Sequence, residues 1–191
     1  MKKVFAGLIV ASVFCLPSVA ALKEGEKAPE FKAPASMSGK EFTFDLKHAL
    51  KKGPVVVYFY PAAYTGGCDV EAHTFSENSD KFAAAGASII GVSLDKIERL
   101  NKFSADPQYC AGKIPVASDA DGKIAKSYEL QVRGPKEGAK TVTGEEIGHG
   151  FAERTTFIVM PDGKIAATIG NMAPADNVQK TLETVQHLKK G

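Results

Sequence analysis

Net charge, cysteine and internal repetition are all scarce in this chain of 191 residues. Its 24 lysines and arginines nearly balance 22 aspartates and glutamates, leaving +2. A chain so near neutrality lacks the basic surplus that a phosphate backbone recruits, which argues against nucleic acid as a partner. Cysteine occurs at 15, 68 and 110, and no two form a Cys-x-x-Cys pair. The signature of a dithiol–disulfide oxidoreductase is therefore missing. No internal linker, repeat or low-complexity tract divides the chain, so a single domain is expected.

What is present begins with an apolar run. Met1-Lys2-Lys3 precedes uncharged residues from Val4 through Ala21, with Ser18-Val19-Ala20 near the end. A basic start, an apolar middle and small terminal residues predict a secretory signal peptide over 1–21 and an exported, periplasmic or secreted protein. A retained membrane anchor is the alternative, but the run is at the lower edge of the ~17 to 25 residues a span needs. Pro17 and its small neighbours favour cleavage, after which no stable membrane association is expected. Cys15 follows bulky Phe14, unlike a lipid-modified cysteine, and is read as filler of the apolar run. Removing Lys2 and Lys3 brings the net charge to about zero and leaves Cys68 and Cys110, an even pair in an oxidising compartment.

Residues 22–191 suit one domain with its own core. An irregular lead-in through Pro29 and Pro34, a short hairpin-like strand around Phe42 and Phe44, and a brief helix are predicted before Lys52. Val55 through Tyr60 is a β-branched and aromatic run, read as a buried central parallel strand. A helix is expected from Cys68, a strand over 87–94, and a helix capped by Asp95 carrying Ile97, Leu100 and Phe103. A strand over 114–118, a helix over 124–128 and a polar, Gly-rich insertion over 134–150 follow. Pro161-Asp162-Gly163 between two apolar runs predicts a hairpin, and Val178, Leu182, Val185 and Leu188 a closing helix. Alternating strands and helices indicate an α/β fold, a central mixed sheet flanked by helices.

Chemistry concentrates in Pro61-Ala62-Ala63-Tyr64-Thr65-Gly66-Gly67-Cys68, between a buried strand and a helix. A thiol at a helix N-terminus gains from the dipole and from unpaired backbone N–H groups, which favour thiolate. Thr65 can turn its hydroxyl to the same place, and Pro61 can shield it from water. Asp69 and Glu71 oppose this with negative charge, but the helix dipole and a cation are expected to win.

These residues resemble the Pro-x-x-x-Thr-x-x-Cys motif of the peroxiredoxins, of the alkyl hydroperoxide reductase C and thiol-specific antioxidant class. The resemblance runs from Gly25 to the last helix, and Tyr58-Phe59-Tyr60-Pro61 with Cys68-Asp69-Val70-Glu71 looks most like the bacterioferritin comigratory protein or peroxiredoxin Q branch. It implies a thioredoxin-like fold and a thiol-dependent peroxidase acting on hydrogen peroxide and organic hydroperoxides. Cys68 would become a sulfenic acid, with Thr65, Arg154 and the Cys68 N–H stabilising charge on the peroxide oxygens. Alone, Arg154 would read as a solvated strand-end charge; the resemblance assigns it to the site. Glu71 matches a glutamate of this branch that supports the site, against ordinary first-turn capping.

No metal or flavin is implied, and the partners would be a peroxide and a thioredoxin-like or other dithiol reductant, with a monomer or weak dimer as the assembly. The position five residues after Cys68, where many members of the branch carry the resolving cysteine, is His73. Cys110 remains as the resolving candidate. A disulfide needs Cα atoms within about 7 Å, so local unwinding on oxidation is expected. The alternatives are a one-cysteine peroxidase with an inert Cys110, or a peroxide sensor. More distant rivals are a thioredoxin-like oxidoreductase and a copper metallochaperone recruiting His73 and His149. In the first, Thr65 stands where a cysteine is needed; in the second, Ala72 does. Gly66-Gly67 departs from the family pattern and adds loop freedom.

Overall fold

The computed structural model describes residues 20–190. Most of the expected export segment, 1–21, therefore lies outside the described residues.

After the lead-in, β1 (Lys32–Met37) and β2 (Lys40–Asp45) form a hairpin. Its turn places Ser38 and Gly39 both at positive φ, 52° and 75°, as a tight two-residue connection requires. The lead-in expected to be irregular through Pro34 is thus a strand from Lys32. Pro34 is tolerated because the inner neighbour of β1 bonds only to Ala35 and Ser36, so the missing N–H interrupts no bond on that side. Asp45 accepts from the His48 amide at 3.1 Å and caps α1 (Leu46–Leu50).

The chain continues through β3 (Val55–Phe59), α2 (Gly66–Glu77), α3 (Ser79–Ala84), β4 (Ser88–Ser93) and α4 (Ile97–Ala105). Then come β5 (Val116–Ser118), α5 (Lys123–Ser127), β6 (Val132–Arg133), β7 (Phe151–Ala152), β8 (Thr155–Val159), β9 (Ile165–Gly170) and α6 (Pro174–Lys190). Seven strands make one sheet in the order β2-β1-β5-β4-β3-β8-β9. β3 is central as expected, but it is parallel only to β4; on its other side β8 runs antiparallel, Phe59 opposite Thr155. β6 and β7, too short to show a period in the sequence, form a separate ribbon at the base of the 134–150 insertion.

Every residue of β3 is fully buried, because helices cover both faces. Val55, Val57 and Phe59 pack with Leu46, Leu50, Ala125 and Tyr128 on one side. Val56 and Tyr58 pack on the other with Phe75, Phe82, Leu100, Phe103, Val178 and Leu182. The C-terminal ends of β3 and β4 and the N-terminal end of β8 lie at the same edge, so the segments after Phe59, after Ser93 and before Thr155 converge there.

Candidate active site

Residues 61–65 cross this edge between β3 and α2. Pro61 is half-buried, Ala62 and Ala63 are fully buried, and Tyr64 takes a positive φ of 58°. Thr65 is the residue before the first helical turn, in extended conformation, but its side chain does not cap the helix. Its hydroxyl donates instead to the Ala62 carbonyl at 2.7 Å and lies beside the Cys68 sulfur. A hydroxyl rotates freely enough to donate to a thiolate in turn.

The helix begins two residues before Cys68, not at it. Cys68 therefore sits within the first turn, only 2% exposed, and its N–H donates to the Thr65 carbonyl at 2.8 Å. That amide, expected to be unpaired and available to substrate, is already committed. The backbone donor that faces the sulfur is Ala62.

Arg154, just ahead of β8, reaches back over the first turn of α2. Its Nη2 donates to Cys68 Sγ at 3.3 Å and its Nη1 to Glu71 Oε2. Gly67 makes room for this approach: a Cβ there would stand 3.3 Å from Arg154 Nη2 and 3.3 Å from Pro174 Cγ. The glycine expected to loosen the loop lies inside the helix and serves close approach.

Burial is the largest influence on the Cys68 thiol and pushes it above its ordinary value, against Arg154, the Ala62 amide and the Thr65 hydroxyl. Neither Asp69 nor Glu71, the charges set against the dipole and Arg154 in the sequence, is among the leading influences on the sulfur; what outweighs Arg154 in the resting pocket is loss of water. Burial also lifts the Glu71 carboxyl to about 7, despite Arg154. Asp69, read from sequence as a first-turn charge, is 9% exposed and lifted by burial to about 6. Burial works against the Arg154 charge, but Glu71 and Cys68 hold its pKa above the ordinary value.

Cys110 lies in the turn after α4, fully buried in the same apolar cluster as Cys68, and both thiols are free. Burial, with Asp106 and Asp69 adding, pushes the Cys110 thiol far up. Tyr58 and Tyr60, ring centroids 5.5 Å apart, each feel both sulfurs. His73 points outward to Glu77 at 3.4 Å.

Asp95 does not cap α4; Lys96 occupies that position. The Asp95 carboxylate turns inward and accepts from the Ala63 amide at 2.7 Å and from His149 Nε2 at 2.8 Å. Its place two residues past β4, which ends beside β3, is the available clue; nothing in the local sequence marks His149.

A thioredoxin-like sheet carrying a buried cysteine under an arginine defines a thiol peroxidase of the peroxiredoxin class, and comparison with known proteins agrees. The AhpC/TSA family model matches residues 25–168. A Mycobacterium tuberculosis protein assigned to the peroxiredoxins is 34% identical over 163 residues, 83% of this chain and 92% of the relative. A Helicobacter pylori protein assigned as peroxiredoxin bcp is 32% identical over 164 residues, 86% and 98% of the two chains. Among solved structures, peroxidoxin BcpB of M. tuberculosis superposes with a TM-score of 0.71 at 29% identity, covering 87% of this chain and 98% of that one. Peroxiredoxin Q of Xanthomonas campestris gives 0.65 at 26% identity, covering 82% and 90%. The chain belongs to the AhpC/TSA family.

Proposed function

We propose that Cys68 is the peroxide-reactive thiol, acting on hydrogen peroxide and organic hydroperoxides. The observation that carries this reading is the single guanidinium of Arg154 shared between Cys68 Sγ and Glu71 in a pocket almost closed to water. The Cys68 thiolate attacks one peroxide oxygen, the O–O bond breaks, and the leaving oxygen takes a proton to depart as water or an alcohol. Arg154, Thr65 and the Ala62 amide face the sulfur and offset charge spread over the two oxygens, and half-buried Pro61 is assigned the role of shield against water. The raised Cys68 thiol makes Arg154 the group that shifts the balance back toward thiolate.

Cys110 is the resolving partner in this reading. Its thiol attacks the Cys68 sulfenic sulfur, an S–S bond forms, water leaves, and a thioredoxin-like dithiol reduces the disulfide. Both sulfurs are buried, so in this reading the α2 start and the 106–113 turn open to let the sulfurs pair and to let a dithiol reach the disulfide. The burial of Cys110 and its strongly raised pKa favour a second reading, a one-cysteine enzyme or sensor in which Cys110 stays inert.

Rapid-mixing peroxide consumption by wild type, Cys68→Ser and Cys110→Ser separates these. Cys68→Ser is expected to lose the fast reaction, and Cys110→Ser to keep the first oxidation but recycle poorly. Equal rates in wild type and Cys68→Ser would overturn the assignment; sulfenic acid persisting on Cys68 beside a free Cys110 in wild type would select the one-cysteine reading. We place the mature protein outside the cytoplasm, on the strength of residues 1–21, as a monomer or weak dimer. N-terminal sequencing of secreted protein should begin at Ala21 or Leu22.

A further inference from the structure

The Asp95 carboxylate is completely buried and receives four donors. Oδ2 accepts from the Ala63 amide at 2.7 Å and the Ser93 hydroxyl at 2.9 Å. Oδ1 accepts from Arg99 Nη1 at 2.9 Å and is 2.8 Å from His149 Nε2. Ala63 lies between Ala62, whose amide and carbonyl serve Cys68 and Thr65, and Tyr64, whose carbonyl accepts from the Val142 amide at 2.8 Å. The segment that shapes the sulfur pocket is thus fastened on one side to Asp95 and on the other to the 134–150 insertion. His149, from that same insertion, completes the Asp95 cluster.

Both ring nitrogens of His149 face oxygens. Nδ1 is 2.7 Å from the Gly150 carbonyl, which can only accept, and Nε2 faces the Asp95 carboxylate, held ionised below the usual range. A neutral imidazole carries one N–H and would set its bare nitrogen against an oxygen; only the imidazolium satisfies both. We propose that Asp95 and a protonated His149 are positioning residues for the peroxidatic loop, holding the Ala63 backbone so that Ala62 and Thr65 face the Cys68 sulfur.

The surrounding charges are mixed. Arg99 opposes the imidazolium but is itself occupied by Asp95, by the Glu146 carbonyl at 2.8 Å and by Glu145 at 3.6 Å. Lys96 at the cap of α4 and Glu98 and Lys102 within it line the adjoining cleft of about 560 Å³ with Glu145 and Glu146, and solvent in it reaches the ring. Burial lowers the His149 pKa, Asp95 and Gly150 raise it, and the net shift is upward from 6.5. A raised folded value means the hold is complete below the unfolded value and is lost as pH rises through the folded one.

The proposal rests on Cys68 as the reacting sulfur. The test is amide exchange at Ala63 and Val142 in the reduced protein across pH, corrected for intrinsic exchange, alongside peroxide oxidation of Cys68 normalised to its thiolate fraction. In wild type, protection at Ala63 is expected to fall about tenfold as His149 deprotonates, with the normalised rate falling in parallel. His149→Gln should show the low value at every pH, and His149→Arg, whose charge does not titrate in this range, a high and flat one. Asp95→Asn should lose protection at Ala63 while amides of β3 stay protected. Should Asp95→Asn not fold, the two His149 variants carry the test. Ala63 exchange in His149→Gln equal to wild type at all pH overturns the proposal. Fast peroxide reaction in Cys68→Ser overturns the Cys68 reading and this one with it; normal Cys68 dependence with unchanged Ala63 exchange overturns this one alone.

Discussion

Arg154 serves two partners with one planar group, and lysine could not reproduce that geometry. Replacing it with methionine removes the donor and leaves Glu71 buried without its counterion. The rate of peroxide reaction should fall about 10²–10³-fold, the usual cost of deleting a charge-stabilising donor. The ultraviolet titration of the Cys68 thiolate should move to higher pH, since Arg154 is the first of the groups that oppose burial. Glu71 gives a stability signature of its own. Its folded carboxyl is raised to about 7 from an ordinary 4.5, so the folded chain holds that proton more tightly. This contribution is full below the unfolded value and disappears as pH rises toward 7. Urea unfolding should show wild type losing more stability than Glu71→Gln between those limits; parallel curves would contradict the assignment. At this scale the sequence groups Pro61, Thr65 and Cys68 by one motif and adds Glu71 and Arg154 by resemblance, and the structure brings Thr65, Glu71 and Arg154 together around the Cys68 turn. Asp95 and His149 were not, since their contact spans 54 positions without periodicity.

Gly67 shows helix preference and site geometry pulling apart. Glycine is a poorer helix former than alanine by up to about 1 kcal/mol. Gly67→Ala should therefore leave thermal stability equal or higher, yet its methyl meets Arg154 and Pro174 at 3.3 Å and displaces the guanidinium. Peroxide reactivity is expected to drop about tenfold with unchanged melting, measured on the same sample. Among the elements, β3, β4, β8, β9 and α6 declared themselves through long apolar runs or helical spacing. α2 starts two residues earlier than the sequence predicts, because Gly66 and Gly67 suppress any helical signal there. β1 was obscured by Pro34, whose cost vanishes only once the short reach of β5 is known.

Across the whole molecule, the two apolar layers on either side of the sheet differ in what they enclose. One holds Cys68 and Cys110; the other holds no cysteine among the described residues. Oxidation that joins Cys68 to Cys110 should disturb only the first layer. Hydrogen exchange in the disulfide form is expected to rise in residues 66–72 and 106–113 while α1 and α5 stay protected. Uniform loosening across both layers would count against local opening. The sequence indicated a mixed sheet covered on both faces, but not that β3 carries a parallel neighbour on one side and an antiparallel one on the other. That depends on a late hairpin returning to the centre, a matter of topology that no local pattern encodes.

The antiparallel pairing of β3 with β8 sets Phe59 opposite Thr155 and thereby brings Arg154 to Cys68 across 86 positions of chain. A slip of one residue would turn Arg154 to the other face of the sheet. Peroxide turnover is thus a clock for the slowest event of assembly. During refolding, helical circular dichroism should return before activity, because the arginine arrives only when the far end of the chain has found its central strand.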